Sequence, residues 1–171
     1  ISYGSSGSGS SAHLTTELLE SVTNTSMVHI PYRGAAAALT DLMGGQIDLF
    51  FDAASGLINP GKAGKVRLIG VAGQQRLEVL PDTPTFIEQG LKGFTGSTWA
   101  GVLAPAGTPQ EVVKRLSAEI AQIVRQDDVK ARFSAMGTVP VGSTPEEFQA
   151  FLQAETKKWG DVIRTAKVTP D

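Results

Sequence analysis

The chain has 171 residues, with 17 acidic and 15 basic side chains and a formal net charge of −2. Because these charges are spread along the chain without a basic block, the composition argues against a nucleic-acid-binding protein. No apolar run reaches the length of a membrane-spanning helix, and the absence of cysteine excludes disulfides, zinc–thiolate sites and thiol catalysis.

Strand-like and helix-like segments alternate over the first half of the chain. The predicted strands are "ISYGSS", "MVHIPY", "IDLFFDA" and "VRLIGVAG". The predicted helices are "SAHLTTELLESV" and "GAAAALTDLMGG", while "GLINPGKAGK" is predicted to be a turn-rich connection with room for one helical turn. Alternation of this kind predicts an α/β domain with a mostly parallel sheet.

Three threonine–proline pairs predict the beginnings of helices, with threonine as the N-cap and proline as the first helical residue. They are Thr83-Pro84, Thr108-Pro109 and Thr144-Pro145. Glu111 and Glu147 follow the last two caps by three residues, which predicts capping boxes. The helices after Pro109 and Pro145 carry apolar stripes typical of packing, and the extended "FTGSTWAGVLAPAGTP" before them predicts a lobe boundary.

A loop rich in glycine and serine, "YGSSGSGSS", joins the first strand to the first helix. The first turn of a helix has unpaired N–H groups and a partial positive charge, glycine permits close approach of a ligand, and serine hydroxyls add donors. Gly9, Ser10 and Ser11 therefore stand where a carboxylate or phosphate would find donors. The alternative is that Ser10 or Ser11 only caps the helix, and the sequence leaves both interpretations open.

The same loop contains Gly7-x-Gly9-x-x-Ala12, a weak form of the dinucleotide-binding fingerprint. That fingerprint requires an acidic residue near the end of the next strand, which here ends in Tyr32 and Arg33. Since an arginine suits a 2′-phosphate, an NADP-binding Rossmann-like enzyme domain stays open as an alternative.

Two further strand ends carry candidate ligand contacts. In "PYRGAA", Gly34 turns the chain and Ala35 begins a helix whose small first residues leave its N-terminus uncovered, which predicts a second anion site. Arg33 either supplies charge there or is a solvated surface residue. Asp52 follows the strand "IDLFF", where open α/β sheets bind ligands, and it either accepts a hydrogen bond from the ligand or caps the next turn.

The two histidines, His13 and His29, do not have the spacing of a metal site. A catalytic triad of Ser6, His13 and Asp52 can be assembled on paper, but the G-x-S-x-G nucleophile motif is absent. The sequence therefore predicts no catalytic residue, no metal and no enzyme.

Several phrases together resemble one family. They are "YGSSGSGSSAHLTTELL", "VHIPYRGAAAALTDLMGGQIDLFFD", "GKVRLIGVAG", "RLEVLPDTPTFIEQGL" and "STWAGVLAPAGTPQEVVKRL". In this order they are similar to the Bug family, the extracytoplasmic solute-binding receptors of tripartite tricarboxylate transporters. The resemblance covers nearly the whole chain.

The resemblance implies a lobe of a type II periplasmic-binding-protein, or Venus-flytrap, fold. Residues 1–97 would form ligand-binding lobe 2, and residues 98–171 the crossover and the C-terminal part of lobe 1, whose N-terminal part is expected to be missing. The family's carboxylate site matches a set of residues in the three loops: Ser6, Gly9, Ser10, Ser11, Tyr32, Gly34, Ala35 and Asp52.

The resemblance also implies a function. We expect a periplasmic protein that captures a small carboxylate, without a cofactor, and delivers it to a membrane permease. The ligand classes that stay open are di- and tricarboxylates, acidic amino acids and aromatic carboxylates. Many family members have a proline or larger residue where this chain has Ser6 and Ser8, so the sequence does not choose among them. A ligand sensor for a two-component system is the other alternative.

Overall fold

Three short parallel strands form a sheet within residues 1–169, the part of the chain that the computed structural model describes. They are β1 (Ser2–Ser5), β2 (Val28–Pro31) and β3 (Leu49–Phe50). The order is β2–β1–β3, and β1 pairs in parallel with both neighbours. The predicted parallel arrangement is therefore confirmed for these strands.

A helix follows each strand of the sheet: α1 (Ser11–Thr23), α2 (Ala35–Met43) and α3 (Ala54–Lys62). Helix α2 ends at Met43 with Gly44 as its C-cap, close to its predicted end. The turn-rich connection predicted after β3 is instead the nine-residue helix α3, which contains Pro60. Because Pro60 stands near the end of α3, its missing N–H removes little of the helix, and burial of Ile58 holds the helix in place.

The hydrophobic core lies where α1 and α2 pack on the sheet. Ala12, Ala38, Ile47 and Phe50 form the buried cluster, each no more than 7% exposed. Gly4 in the central strand faces this cluster, and a β-carbon there would lie 2.5 Å from the Ile47 side chain. The close approach of Ile47 to β1 therefore requires glycine at this position.

The strand predicted for "VRLIGVAG" does not form, which is a correction. Val71 makes a single parallel bridge to Thr85, with hydrogen bonds from the Val71 amide to the Pro84 carbonyl (2.9 Å) and from the Phe86 amide to the Val71 carbonyl (3.1 Å). Pro84 has no N–H to extend this pairing, and the chain enters a turn directly after Thr85. The segment is consequently extended without a ladder.

The predicted helix start at Thr83 is also wrong. Thr83 is buried in a bend, and the residues after Pro84 form turns rather than a helix. A capping-box pair does occur here, two residues later. The Thr85 amide donates to the Glu88 carboxylate (2.7 Å), and the Glu88 amide donates to the Thr85 hydroxyl (3.0 Å).

The other two threonine–proline pairs differ from each other. Thr144 caps helix α6 (Pro145–Ala166), and with Glu147 it forms the predicted capping box. Thr108 does not cap helix α4 (Gln110–Ile123), because Pro109 occupies the N-cap position and the helix begins one residue late. The Thr108 hydroxyl donates instead to the carbonyl of Pro105 (2.8 Å), so the predicted box with Glu111 is absent.

The C-terminal helices leave much apolar surface uncovered. A further helix that the sequence did not predict, α5 (Asp127–Ala135), lies between α4 and α6. Helix α6 packs against α1, whereas no residue of α4 is buried and its stripe residues Val112, Leu116 and Ile123 are between 42% and 51% exposed. Within residues 1–169, each helix is too short or too polar to cross a membrane.

Because Thr144 caps a helix and Thr108 does not, replacing each of them by alanine should affect stability differently. Thr144→Ala removes a cap hydrogen bond and is expected to lower the free energy of unfolding by about 1 kcal/mol. Thr108→Ala is the matched control, since the same change leaves the first amides of α4 as they were, and it should cost less. Urea unfolding of both variants measures the difference, and an equal or larger loss for Thr108→Ala would contradict the assignment of the caps.

Candidate functional site

The loops that follow the three strands meet at one edge of the sheet. Because the strands are parallel and β1 is central, their carboxyl ends lie side by side. The Tyr32 amide donates to the Ser5 carbonyl (3.0 Å), and a β-carbon on Gly7 would lie 3.8 Å from the Tyr32 carbonyl oxygen. The loop after β1 is therefore in contact with the loop after β2, and Asp52 follows the end of β3 on the other side of β1.

The loop of residues 6–10 uses part of its own hydrogen-bonding capacity. The Ser10 amide donates to the Gly7 carbonyl (3.1 Å), and the Gly9 amide donates to Nδ1 of His13 (3.0 Å). The Ser10 side chain is the N-cap of α1 and accepts from the His13 amide at 3.4 Å. The amides of Gly9 and Ser10, which were expected to face a ligand, are thus engaged within the protein.

The next two amides of α1 differ from these. Within residues 1–169, the N–H groups of Ser11 and Ala12 have no acceptor from the chain, as the geometry of a first helical turn dictates. Ser11 is exposed and is the first residue of α1. The donors that remain at the start of α1 are therefore Ser11 and Ala12.

Helix α2 begins without a side-chain cap. Its N-cap is Gly34, whose φ of 106° is reached readily by glycine and by few other residues, and the next residues are alanines. The Tyr32 hydroxyl points away from this start and donates to Asp41 at 2.8 Å. Desolvation and the Asp41 carboxylate raise the pKa of Tyr32. Ala35 and Gly34 thus present backbone, whereas the Tyr32 phenol is used within the fold.

Asp52 occupies a partly desolvated position at the start of α3. Burial raises its pKa above the ordinary value, and a hydrogen bond from the Ala53 amide acts in the opposite direction. A β-carbon on Gly56 would lie 2.6 Å from the Asp52 carboxylate, so glycine is needed there for the carboxylate to fit. A carboxylate that the fold destabilises at a strand end is a frequent feature of ligand sites.

Beneath the first loop, three aromatic rings form a stack. His29 stacks on His13 with 3.8 Å between ring centroids and on Tyr3 with 4.9 Å. The hydroxyl of Tyr3, which is fully buried, donates to Glu17 at 2.7 Å, and burial and this carboxylate raise the Tyr3 pKa. Nε2 of His29 lies 2.6 Å from the Ser5 hydroxyl, which also accepts from the Gly7 amide.

The two ring nitrogens of His13 contact groups other than Ser6 and Asp52, the partners of the catalytic triad considered above. Its Nδ1 binds the Gly9 amide and its Nε2 lies 3.4 Å from the Glu17 carboxylate. Ser6 and Asp52 are therefore not joined through this ring. Within residues 1–169, no group of three or more His, Cys, Asp or Glu side chains is arranged to hold a metal ion.

The role of His13 was missed in the sequence, although a signal is present. In a capping box the N-cap side chain accepts from the third helical amide, and the third helical side chain reaches back to the start of the helix. Ser10 and His13 have this spacing, and His13 accepts from Gly9, one residue before the N-cap. The capping-box motif has only Glu or Gln at the third helical position, so a search for this motif does not find a histidine acceptor.

A shallow depression lies beside the start of α1. It is lined by six residues: Ser11, Leu14, Ser97, Thr98, Trp99 and Trp159. Trp99 is 47% exposed and meets Phe148 and Phe151 of α6 edge-on, at centroid distances of 5.8 and 5.3 Å. The extended segment after residue 97 is thereby attached to α6 and passes close to Ser11.

Comparison with known proteins identifies the family. Residues 1–168 match the sequence profile of TctC, the tripartite tricarboxylate transporter family receptor. The chain belongs to this receptor family. Among related proteins, the UPF0065 protein of the tcbD–tcbE intergenic region of Pseudomonas sp. is 38% identical over 95% of this chain and 49% of its own length. Protein BugT of Bordetella pertussis is 30% identical over 96% of this chain and 50% of its own.

Solved structures of similar proteins agree with this membership. An R. palustris protein, Rpa4515 with adipate, superposes with a TM-score of 0.87 at 33% identity, covering 100% of this chain and 57% of that one. The periplasmic binding protein BugD gives 0.82 at 31% identity, covering 100% and 58%. MatC of Rhodopseudomonas palustris with bound malate gives 0.77 at 31% identity, covering 95% and 56%.

The Bug-family resemblance and the periplasmic-binding-protein fold are therefore confirmed. The chain spans about half the length of the Pseudomonas protein and of BugT.

The pKa of Asp52 is raised and that of Asp48 is lowered, so replacing each aspartate by asparagine should change the pH dependence of stability in opposite directions. Because the pKa of Asp52 is raised by desolvation, its ionisation destabilises the folded state as the pH rises through that pKa. The change in the free energy of unfolding caused by Asp52→Asn should therefore be more stabilising at about pH 7 than at about pH 3.

Asp48→Asn is the matched control for Asp52→Asn. The Ser2 amide and hydroxyl bind the Asp48 carboxylate and lower its pKa. This aspartate stabilises the fold above its unfolded pKa, and that contribution is lost as the pH falls, so its replacement should be more damaging at neutral than at acidic pH. Chemical unfolding of both variants at the two pH values measures this, and the same sign for both would contradict the account of Asp52.

Proposed function

We propose that this chain forms the ligand-binding lobe and part of the second lobe of a periplasmic receptor, which captures a small carboxylate for a tripartite tricarboxylate transporter. The observation that carries the proposal is the charge distribution at the helix starts. Helices α1 and α2, which begin at the strand-end edge, have no acidic residue in the first turn. Helices α4, α5 and α6 each have at least one.

This contrast favours an anionic ligand at the edge. An acidic residue in the first turn of a helix compensates the partial positive charge there, and α4, α5 and α6 follow this rule. Within residues 1–169, the first turns of α1 and α2 contain no acidic residue that could compensate this charge, and a bound carboxylate would do so. Ser11, Gly34 and Ala35 are the proposed contacts, with donors from the backbone and from the Ser11 hydroxyl.

Related receptors support the class of ligand. The solved structures of Rpa4515 and MatC contain adipate and malate, which are both dicarboxylates. For this chain, the ligand class is therefore proposed as a small di- or tricarboxylate. One carboxylate would bind at the start of α1 or α2, held by charge-assisted hydrogen bonds and bridging water rather than by a fixed cation.

The other candidate site residues have different proposed roles. Ser6, Gly9 and Ser10 shape the loop, Tyr32 orients α2 through Asp41, and Asp52 accepts a hydrogen bond from a ligand hydroxyl, amine or water. Family membership does not favour an NADP-binding enzyme, since the family is one of transporter receptors and BugD is a periplasmic binding protein.

The same proposal divides the chain into two lobes. Residues 1–97 would form the ligand lobe and residues 98–171 the crossover and the C-terminal part of the other lobe. The exposed apolar stripe of α4 and the 57% coverage of the Rpa4515 structure support this division. Closure of the second lobe would complete the site and present the closed shape to the permease.

Ligand binding is tested directly in the complete natural chain that carries this sequence. Isothermal titration and thermal unfolding with adipate and with malate are expected to give saturable binding and a higher melting temperature, because a ligand of the folded state stabilises it by mass action. Adipamide is the uncharged control of the same length and should have no effect. Absence of binding for an extended series of carboxylates, or equal binding of adipamide, would contradict the proposal.

Two glycines at opposite ends of α2 give a matched pair of variants. Gly34 at its start and Gly45 beyond its end both have positive φ, and a β-carbon at either would meet nothing within 4 Å. Alanine at either position therefore strains only the backbone. Gly34→Ala should weaken carboxylate binding by about 1–3 kcal/mol, the range for misplaced buried donors. Gly45→Ala should leave affinity unchanged, and equal losses in titration would remove the α2 start from the site.

A further inference from the structure

The starting observation is a hydrogen bond that joins the ligand loop to the first turn of α1. Nδ1 of His13 accepts from the Gly9 amide at 3.0 Å, while the Ser10 hydroxyl accepts from the His13 amide at 3.4 Å. Residues 9 and 10 are thus attached to residue 13 by two hydrogen bonds running in opposite directions. His13 is 7% exposed, so this contact is sheltered from water.

This hydrogen bond also determines the tautomer of His13. An Nδ1 that accepts from an amide carries no proton, so the neutral ring is protonated at Nε2. Nε2 lies 3.4 Å from Oε1 of Glu17, which also accepts from the Tyr3 hydroxyl at 2.7 Å. The ring therefore has an acceptor role on the loop side and faces a carboxylate on the opposite side.

The ring itself is held in place by its neighbours. His29 stacks on it with an interplanar angle of 21° and a centroid separation of 3.8 Å. His29 is positioned in turn by the Ser5 hydroxyl, which also binds the Gly7 amide. The two histidines thus connect the sheet and α1 to successive glycines of the same loop.

We infer that His13 is a positioning residue for ligand binding: by holding the Gly9 amide at Nδ1, it leaves the amides of Ser11 and Ala12 as the donors for the anion at the start of α1. This inference rests on the proposed carboxylate function. Gly9 has a φ of 74° and open space where a β-carbon would be, so no side chain at this position restricts the loop. Without the acceptor at His13, the Gly9 amide loses this hydrogen bond, and with it the loop loses the geometry that exposes the next two donors.

Three substitutions separate the acceptor at Nδ1 from the bulk of the ring. In asparagine, Oδ1 is attached to the same carbon position as Nδ1 of histidine, so His13→Asn keeps an acceptor for Gly9. In glutamine the amide is one bond farther out and imitates Nε2, so His13→Gln loses this acceptor, and His13→Leu loses both. Loss of the acceptor should weaken carboxylate binding about tenfold or more, whereas His13→Asn should stay within about threefold of the unmodified protein.

The experiment is titration of malate and adipate into the complete natural chain and the three variants, with thermal unfolding of each variant in the absence of ligand. If His13 were only structural, the carboxylate affinities of the variants would decrease in parallel with their melting temperatures. The inference predicts instead that His13→Gln and His13→Asn differ in affinity even where their melting temperatures are similar. Equal affinity of His13→Gln and the unmodified protein would overturn it.

A measurement without ligand covers the case in which a variant does not fold. In the unmodified, isotopically labelled protein, a scalar coupling across the hydrogen bond should connect the Gly9 amide nitrogen to Nδ1 of His13, and its absence would also overturn the inference. If the unmodified protein binds no carboxylate, the proposed function and this inference fail together. If it binds and His13→Gln binds equally well, only this inference fails.

Discussion

Parallel pairing of β1 with strands on both of its sides is the constraint on which the candidate site depends. Because all three strands run in the same direction, the three following loops emerge at one edge, and each is followed by a helix that begins there. The close packing of Gly4 against Ile47 keeps β1 near β3 and the core. A larger residue in this central strand would move the edge itself, and with it every donor of the site.

The organisation of the first half could be predicted from the sequence because local and global signals agree there. The strands β1 to β3 and the helices α1 and α2 are marked by apolar period, by Gly44 after α2 and by small residues at the helix starts. Thr144 shows the same agreement, since proline at the first helical position and Glu147 reinforce one cap.

The sequence predictions that were wrong depend on tertiary contacts or on a shift of one residue in a helix start, and local sequence patterns reveal neither. The segment at Val71 has the apolar character of a strand, but its partner contains Pro84, which cannot donate to a ladder. Thr108 has the same local pattern as Thr144, yet α4 begins one residue later and places its hydroxyl out of reach of the third amide. The contact of His13 with Gly9 requires a ring orientation that the His29 stack sets, and that stack joins residues distant in sequence.

The site combines strong local order with uncompensated charge. Its loop is held by His13, His29 and Ser5, so the amides that are proposed to bind the ligand have directions set by the fold. Within residues 1–169, the first turns of α1 and α2 carry no acidic side chain, and Asp52 in the loop after β3 is partly desolvated. A receptor built this way does not need a buried arginine or lysine to attract an anion. Because the donors are fixed amides whose direction is set by the fold, selectivity among carboxylates would come from the spacing of their oxygens and not from charge alone.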